Sequence, residues 1–128
     1  MLSFNFTIDS DPERKLMQAK IYGIWKKETA VAYHEEYMET AEPFIGKKWA
    51  KITNLSNWKS SYPEIVDILG EHMHWCQKNG AIYSVYVIDN PVTHSQLNKM
   101  VKKGDVSTIT KFFRTPEEGD RFLKQNGF

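Results

Sequence analysis

The stretch SYPEIVDILGEHMHWCQKNGAIYSVYVI, residues 61–88, decides the fold class because it changes period in the middle. In its first part Ile65, Ile68, Leu69, His72, Met73 and Cys76 recur at helical spacing and lay one apolar stripe along a helix. Ser61 followed by Glu64 matches a capping box, and Pro63 is tolerated in a first turn, where its missing N–H costs nothing. Asn79-Gly80 supplies the C-terminal stop. From Ala81 to Ile88 the chain is almost continuously apolar or aromatic, the pattern of a central strand covered on both faces. A helix leading directly into such a strand is the repeating unit of an α/β sheet.

Working outward, the same alternation continues. Toward the N-terminus, Trp49 to Leu55 reads as a strand and Ser56 to Ser61 as a polar loop. Ala30, Tyr33, Tyr37, Met38 and Ala41 stripe a helix over about 27–42, which Pro43 ends by disfavouring helical geometry before it. Phe4, Phe6 and Ile8 alternate with polar neighbours as in a half-buried strand; Ser10-Asp11-Pro12-Glu13 has turn chemistry, and a second strand runs from about Leu16 to Trp25. Toward the C-terminus, Asp89-Asn90-Pro91 starts a third helix that Gly104 ends, Ile109 to Phe113 forms a last strand, and Thr115-Pro116-Glu117-Glu118 opens a final helix as a second capping box. The expected architecture is one α/β domain over residues 1–128. Its order is ββαβαβαβα, with a mixed sheet of about five strands flanked by helices.

Composition narrows the function classes. Seventeen basic and 16 acidic side chains leave a formal charge of +1, which gives no general attraction to nucleic acid or anionic membrane. Cys76 is the only cysteine, so no intrachain disulfide forms and a reducing compartment, the cytoplasm, is the expected address. No apolar run approaches the roughly 20 residues that span a bilayer as a helix, and no signal-peptide pattern opens the chain.

That order, with Asp11-Pro12-Glu13-Arg14-Lys15-Leu16, Ile52-Thr53-Asn54-Leu55-Ser56-Asn57-Trp58 and Thr115-Pro116-Glu117-Glu118, resembles the SpoIIAA-like group of the STAS superfamily, which is discussed beside Sec14-type lipid-binding domains. The resemblance implies a mixed sheet flanked by helices and a non-enzymatic role. In anti-sigma-factor antagonists a serine at the start of the second helix is phosphorylated. Ser60 or Ser61 matches that place, although Lys59-Ser60-Ser61-Tyr62 lacks the preceding Asp and following Gly.

Most chemistry-bearing residues have a simpler structural role. His72 and Cys76, four apart, share a helix face and could both touch a metal, but His74 points elsewhere and the stripe is apolar, so a buried structural role prevails and no metal or other cofactor is expected. A cysteine nucleophile needs an exposed, electropositive setting that a core stripe does not offer. There is no Gly-x-Ser-x-Gly elbow and no glycine-rich phosphate loop. Glu35, Glu36 and Glu39 read as a solvated helix face. Lys99, Lys102, Lys103, Lys111 and Arg114 read as helix-end stabilisation or as a patch for an acidic partner. The candidate binding residues are therefore Ser56, Trp58, Lys59, Ser60 and Ser61, with Trp58 singled out as a large aromatic in a loop. The expected partner is a protein at this loop or an apolar small molecule held beneath the helices, with a homodimer also compatible.

Overall fold

The structure, a computed structural model, describes residues 5–59 and 63–128. The chain runs β1 (Phe6–Asp11), β2 (Leu16–Ile24), α1 (Lys27–Ala41), a 3-10 turn (Glu42–Phe44), β3 (Trp49–Lys59), α2 (Pro63–Lys78), β4 (Ala81–Val87), α3 (Pro91–Gly104), β5 (Thr110–Phe113) and α4 (Pro116–Gln125). The five strands form one sheet in the order β1-β2-β3-β4-β5. Only β1 is antiparallel to its neighbour; β2 to β5 are parallel. The result is an α/β fold on a mixed sheet.

The helices divide unequally between the faces. The larger core holds Tyr33 and Tyr37 of α1, Ile65, Leu69 and Met73 of α2, and Leu97 and Met100 of α3. The smaller one gathers Leu16, Ala50, Val85 and Leu123, so α4 packs on the opposite face over β3 and β4. β4 is thus covered on both sides, as its unbroken apolar run requires.

Three local differences from the sequence reading have identifiable causes. β1 continues through Ser10 and Asp11, and the reversal falls at 12–15 instead. There the Asp11 carboxylate accepts the Arg14 N–H, and Lys15 takes a left-handed φ of 51°. β3 is four residues longer than expected, because a bulge sets Leu55 and Ser56 opposite the single residue Ile21. Alternation breaks at that point, and a strict period of two ends the strand at Leu55. Finally, Gly104 is the last helical residue of α3, and the left-handed position after it is taken by Asp105, φ 55°. The third-helix start falls at the expected place: the Asn90 side chain accepts the N–H groups of Val92 and Thr93. Thr115 likewise caps α4 by accepting the Glu118 N–H.

Candidate functional site

The bulge reassigns the candidate loop. Ser56, Asn57, Trp58 and Lys59 belong to β3, while Ser60 and Ser61, and with them the Ser61–Glu64 capping box and the phosphorylation position, lie outside the described residues. Ser56 is half-buried, its hydroxyl and N–H both donating to the Asn54 side chain. Trp58 is 1% exposed and meets Trp25 edge-on at 5.7 Å. The extra residue of the bulge turns Trp58, three positions after Leu55, into the same core as Leu55. Trp58 is a core side chain, and the surface role argued for it from a loop position does not hold. Lys59 is exposed at the end of the strand.

Around Lys59 the carboxyl edge of the sheet has an uneven surface. Lys59 pairs with Ile24 across β2 and β3, and Ile24 is 63% exposed. On its other side Lys59 shares a groove of about 280 Å³ with Asn90, Val92, Thr93 and Gln96, and Val92 is 70% exposed. Ile24 and Val92 are the two most exposed large hydrophobic side chains among the described residues, and they flank the same lysine.

The sequence reading missed Lys51. It is 1% exposed, on the face of β3 that carries Trp49, Thr53 and Leu55, and it is covered by α1 and α2. Its Nζ donates to the Tyr86 hydroxyl at 3.3 Å, lies 3.5 Å from His72 Nε2 and 3.8 Å from Cys76 Sγ, and stands over the rings of Tyr37 and Tyr86. No carboxylate is among these contacts. Strict alternation from Trp49 would have placed Lys51 inside; its charge argued against that position.

Burial disfavours the Lys51 ammonium, while negative charge on Cys76, Tyr86 and Tyr33 would raise its pKa above the ordinary value. Burial also pushes up the Cys76 thiol and the Tyr33 phenol, so near neutral pH both are uncharged and their support is missing. The ammonium is then held by the Tyr86 hydroxyl, His72 Nε2, the neutral Cys76 thiol and the two ring faces, with no anion among these contacts. Burial, with Lys51 adding to it, holds the His72 pKa well below the usual histidine range.

His72 and Cys76 are buried, as the apolar stripe indicated. Cys76 does have a cationic neighbour, which the sequence reading did not foresee, but at 1% exposure it offers no approach to a substrate. His74 is exposed on the other side of α2, against the Gly104 carbonyl. Among the described residues no group of three or more His, Cys, Asp or Glu side chains is placed to hold a metal ion, and no helix is long and apolar enough to cross a membrane. The space between sheet and helices beside Lys51, Thr53 and Tyr86 measures about 20 Å³. That is room for about one water and not for an acyl chain.

Of the basic residues noted in the sequence, Lys99, Lys102, Lys103, Lys111 and Arg114 are all exposed. Lys103 pairs with Asp67 of α2 at 3.4 Å, a solvent-facing contact, and Arg114 lies apart at the end of β5. Comparison with known proteins returned no match, either to a protein-family model or to a curated protein.

Proposed function

We propose that this chain is a non-enzymatic, protein-binding regulatory module of the SpoIIAA-like, STAS type, with its partner surface at the carboxyl edge of the sheet around Lys59. The observation that carries the reading is the pairing of Ile24 and Val92, exposed by 63% and 70%, on either side of Lys59. Apolar side chains held out at strand and helix ends cost nothing to the fold and gain by being covered, and a charge beside them sets which partner fits. The mixed sheet with helices on both faces supports the STAS resemblance. The surface keeps Lys59 from the candidate set and replaces Trp58 with Ile24 and Val92.

Photo-crosslinking in cells tests it. A photoreactive residue at position 24 or 92 is expected to give one discrete heterologous adduct, lost on Lys59→Glu. The same residue at position 45 serves as control, because Ile45 is 44% exposed but precedes the start of β3, at the opposite edge. Adducts from position 45 alone, or none from 24 and 92 in folded variants, would remove this surface from consideration.

A further inference from the structure

The connections leaving β4 and β5 part company. After β4 the chain enters α3 on the three-helix face, and after β5 it enters α4 on the other. Neighbouring parallel strands whose outgoing helices go to opposite faces leave a crevice between their carboxyl ends, the place where open α/β sheets accept small ligands. Here that crevice measures about 430 Å³, within the range of small-molecule sites.

Its lining narrows what it would take. Asp89 and Glu118 bring two carboxylates and Arg114 one guanidinium to the same crevice. These opposite charges do not neutralise one another: among the described residues neither Asp89 nor Arg114 has an ion-pair partner, and Glu118 accepts only from the Thr115 hydroxyl and makes no ion pair. The two helix starts offer little to a phosphate. Pro91 and Pro116 lack N–H groups, Asn90 already accepts from Val92, Thr93 and His94, and Thr115 already accepts from Glu118 and Gly119. The rest of the lining adds Ile88 and Pro91 and an aromatic wall, in which the His94 and Phe112 ring centroids lie 4.4 Å apart. A ring face beside carboxylates favours an ammonium, and a lone guanidinium favours a carboxylate.

We propose that this crevice binds a small zwitterion with an ammonium, a carboxylate and a compact apolar body, the chemistry of a free α-amino acid with an aromatic or large aliphatic side chain. The ammonium lies toward Asp89 and Glu118, the carboxylate toward Arg114, and the body against Phe112 and His94. This site does not depend on the partner surface proposed above, although Asn90 borders both grooves.

Three probes of one shape separate the charges: phenylalanine, phenethylamine without the carboxylate, and 3-phenylpropionate without the ammonium. In amide NMR titrations at neutral pH, phenylalanine is expected to give saturable shifts confined to residues 88–94 and 111–119. Each single-charge probe is expected to bind about tenfold more weakly, as the loss of one charged contact implies. Arg114→Gln should reduce phenylalanine to the level of phenethylamine, and Asp89→Asn to that of phenylpropionate. Both side chains are exposed, so an unchanged spectrum elsewhere verifies that the variants fold. Leucine in place of phenylalanine distinguishes an aliphatic from an aromatic body, and saturable binding of either supports the site. The inference is overturned if neither amino acid gives saturable shifts at millimolar concentration. It is equally overturned if phenylpropionate or phosphate binds as well as phenylalanine, or if binding ignores both substitutions.

Discussion

Both ring nitrogens of His72 are committed. A protonated Lys51 is a donor only, and its 3.5 Å contact with Nε2 assigns the His72 proton to Nδ1, which then donates in the 2.9 Å contact with Nδ1 of His34. A second proton on His72 would face the Lys51 amine inside the core, and burial alone already opposes it. His34 is also held below the usual range, first by its own partial burial; Glu71 works against that shift and Lys51 adds to it. The sign of the pH dependence follows. With folded pKa values below the unfolded value of about 6.5, the unfolded chain binds more protons as the pH falls, so this stability is complete above about 6.5 and lost below it. For His72 the loss is up to about 1.4 kcal/mol per pH unit. Urea unfolding of the parent should therefore show a lower midpoint at pH 5.5 than at 7.5, and His72→Gln should flatten that difference. Equal slopes in parent and variant would show that His72 is not the group responsible. His72 and Cys76 were placed correctly by helical spacing alone, whereas their neighbour Lys51 was not, because residue type and strand period gave opposite answers there.

Helix α3 crosses α2 through a pair of glycines. A Cβ on Gly104 would collide with the carbonyl oxygen of Gly70, and one on Gly70 would come within 2.8 Å of the Lys103 Cβ. The obstacle at Gly104 is backbone, which yields only if the helices separate. Two effects oppose each other in Gly104→Ala: alanine favours the helix by up to about 1 kcal/mol, and overpacking costs roughly 1–3 kcal/mol. Because the clash is with main chain, overpacking wins, and a net loss of stability is expected in denaturant melts. A gain would mean that the crossing relaxes freely. From sequence, Gly104 reads as a helix stop; the left-handed turn belongs to Asp105 instead. A glycine needed for φ and one needed for close approach look the same in a single chain. The caps at Asn90 and Thr115, by contrast, were legible because a cap is a local hydrogen bond between residues two or three apart. The extent of β3 was not, because its bulge depends on pairing with β2.

Across the whole molecule the two faces of the sheet are secured very differently. Three helices and most of the aromatic side chains cover one face, while α4 buries only Gly119 and Leu123 against the other. Leu123 is fully buried among Leu16, Ala50 and Val85, and Gly119 leaves the helix room to sit close to the sheet, since a Cβ there would come within 3.0 Å of Val85 Cγ1 and 3.1 Å of Ile52 Cδ1. Few buried contacts mark the segments that open locally at a lower free energy than the whole domain. Native-state hydrogen exchange should accordingly find the amides of α4 exchanging through an opening that leaves α2 and β4 protected, at least about tenfold more often than global unfolding. Leu123→Ala removes the main anchor, a change that costs roughly 2–5 kcal/mol when the site cannot collapse. If α4 opens on its own, this substitution raises exchange in α4 well before it exposes α2. If the domain is one cooperative unit, both segments lose protection together, and the idea of a separately opening helix fails. The distinction bears on the crevice between β4 and β5, since Glu118 in the first turn of α4 forms part of its wall. An amino acid held there would bridge α3 and α4, so at saturation it should slow exchange in α4 selectively, by the mass action of a ligand that binds only the closed form.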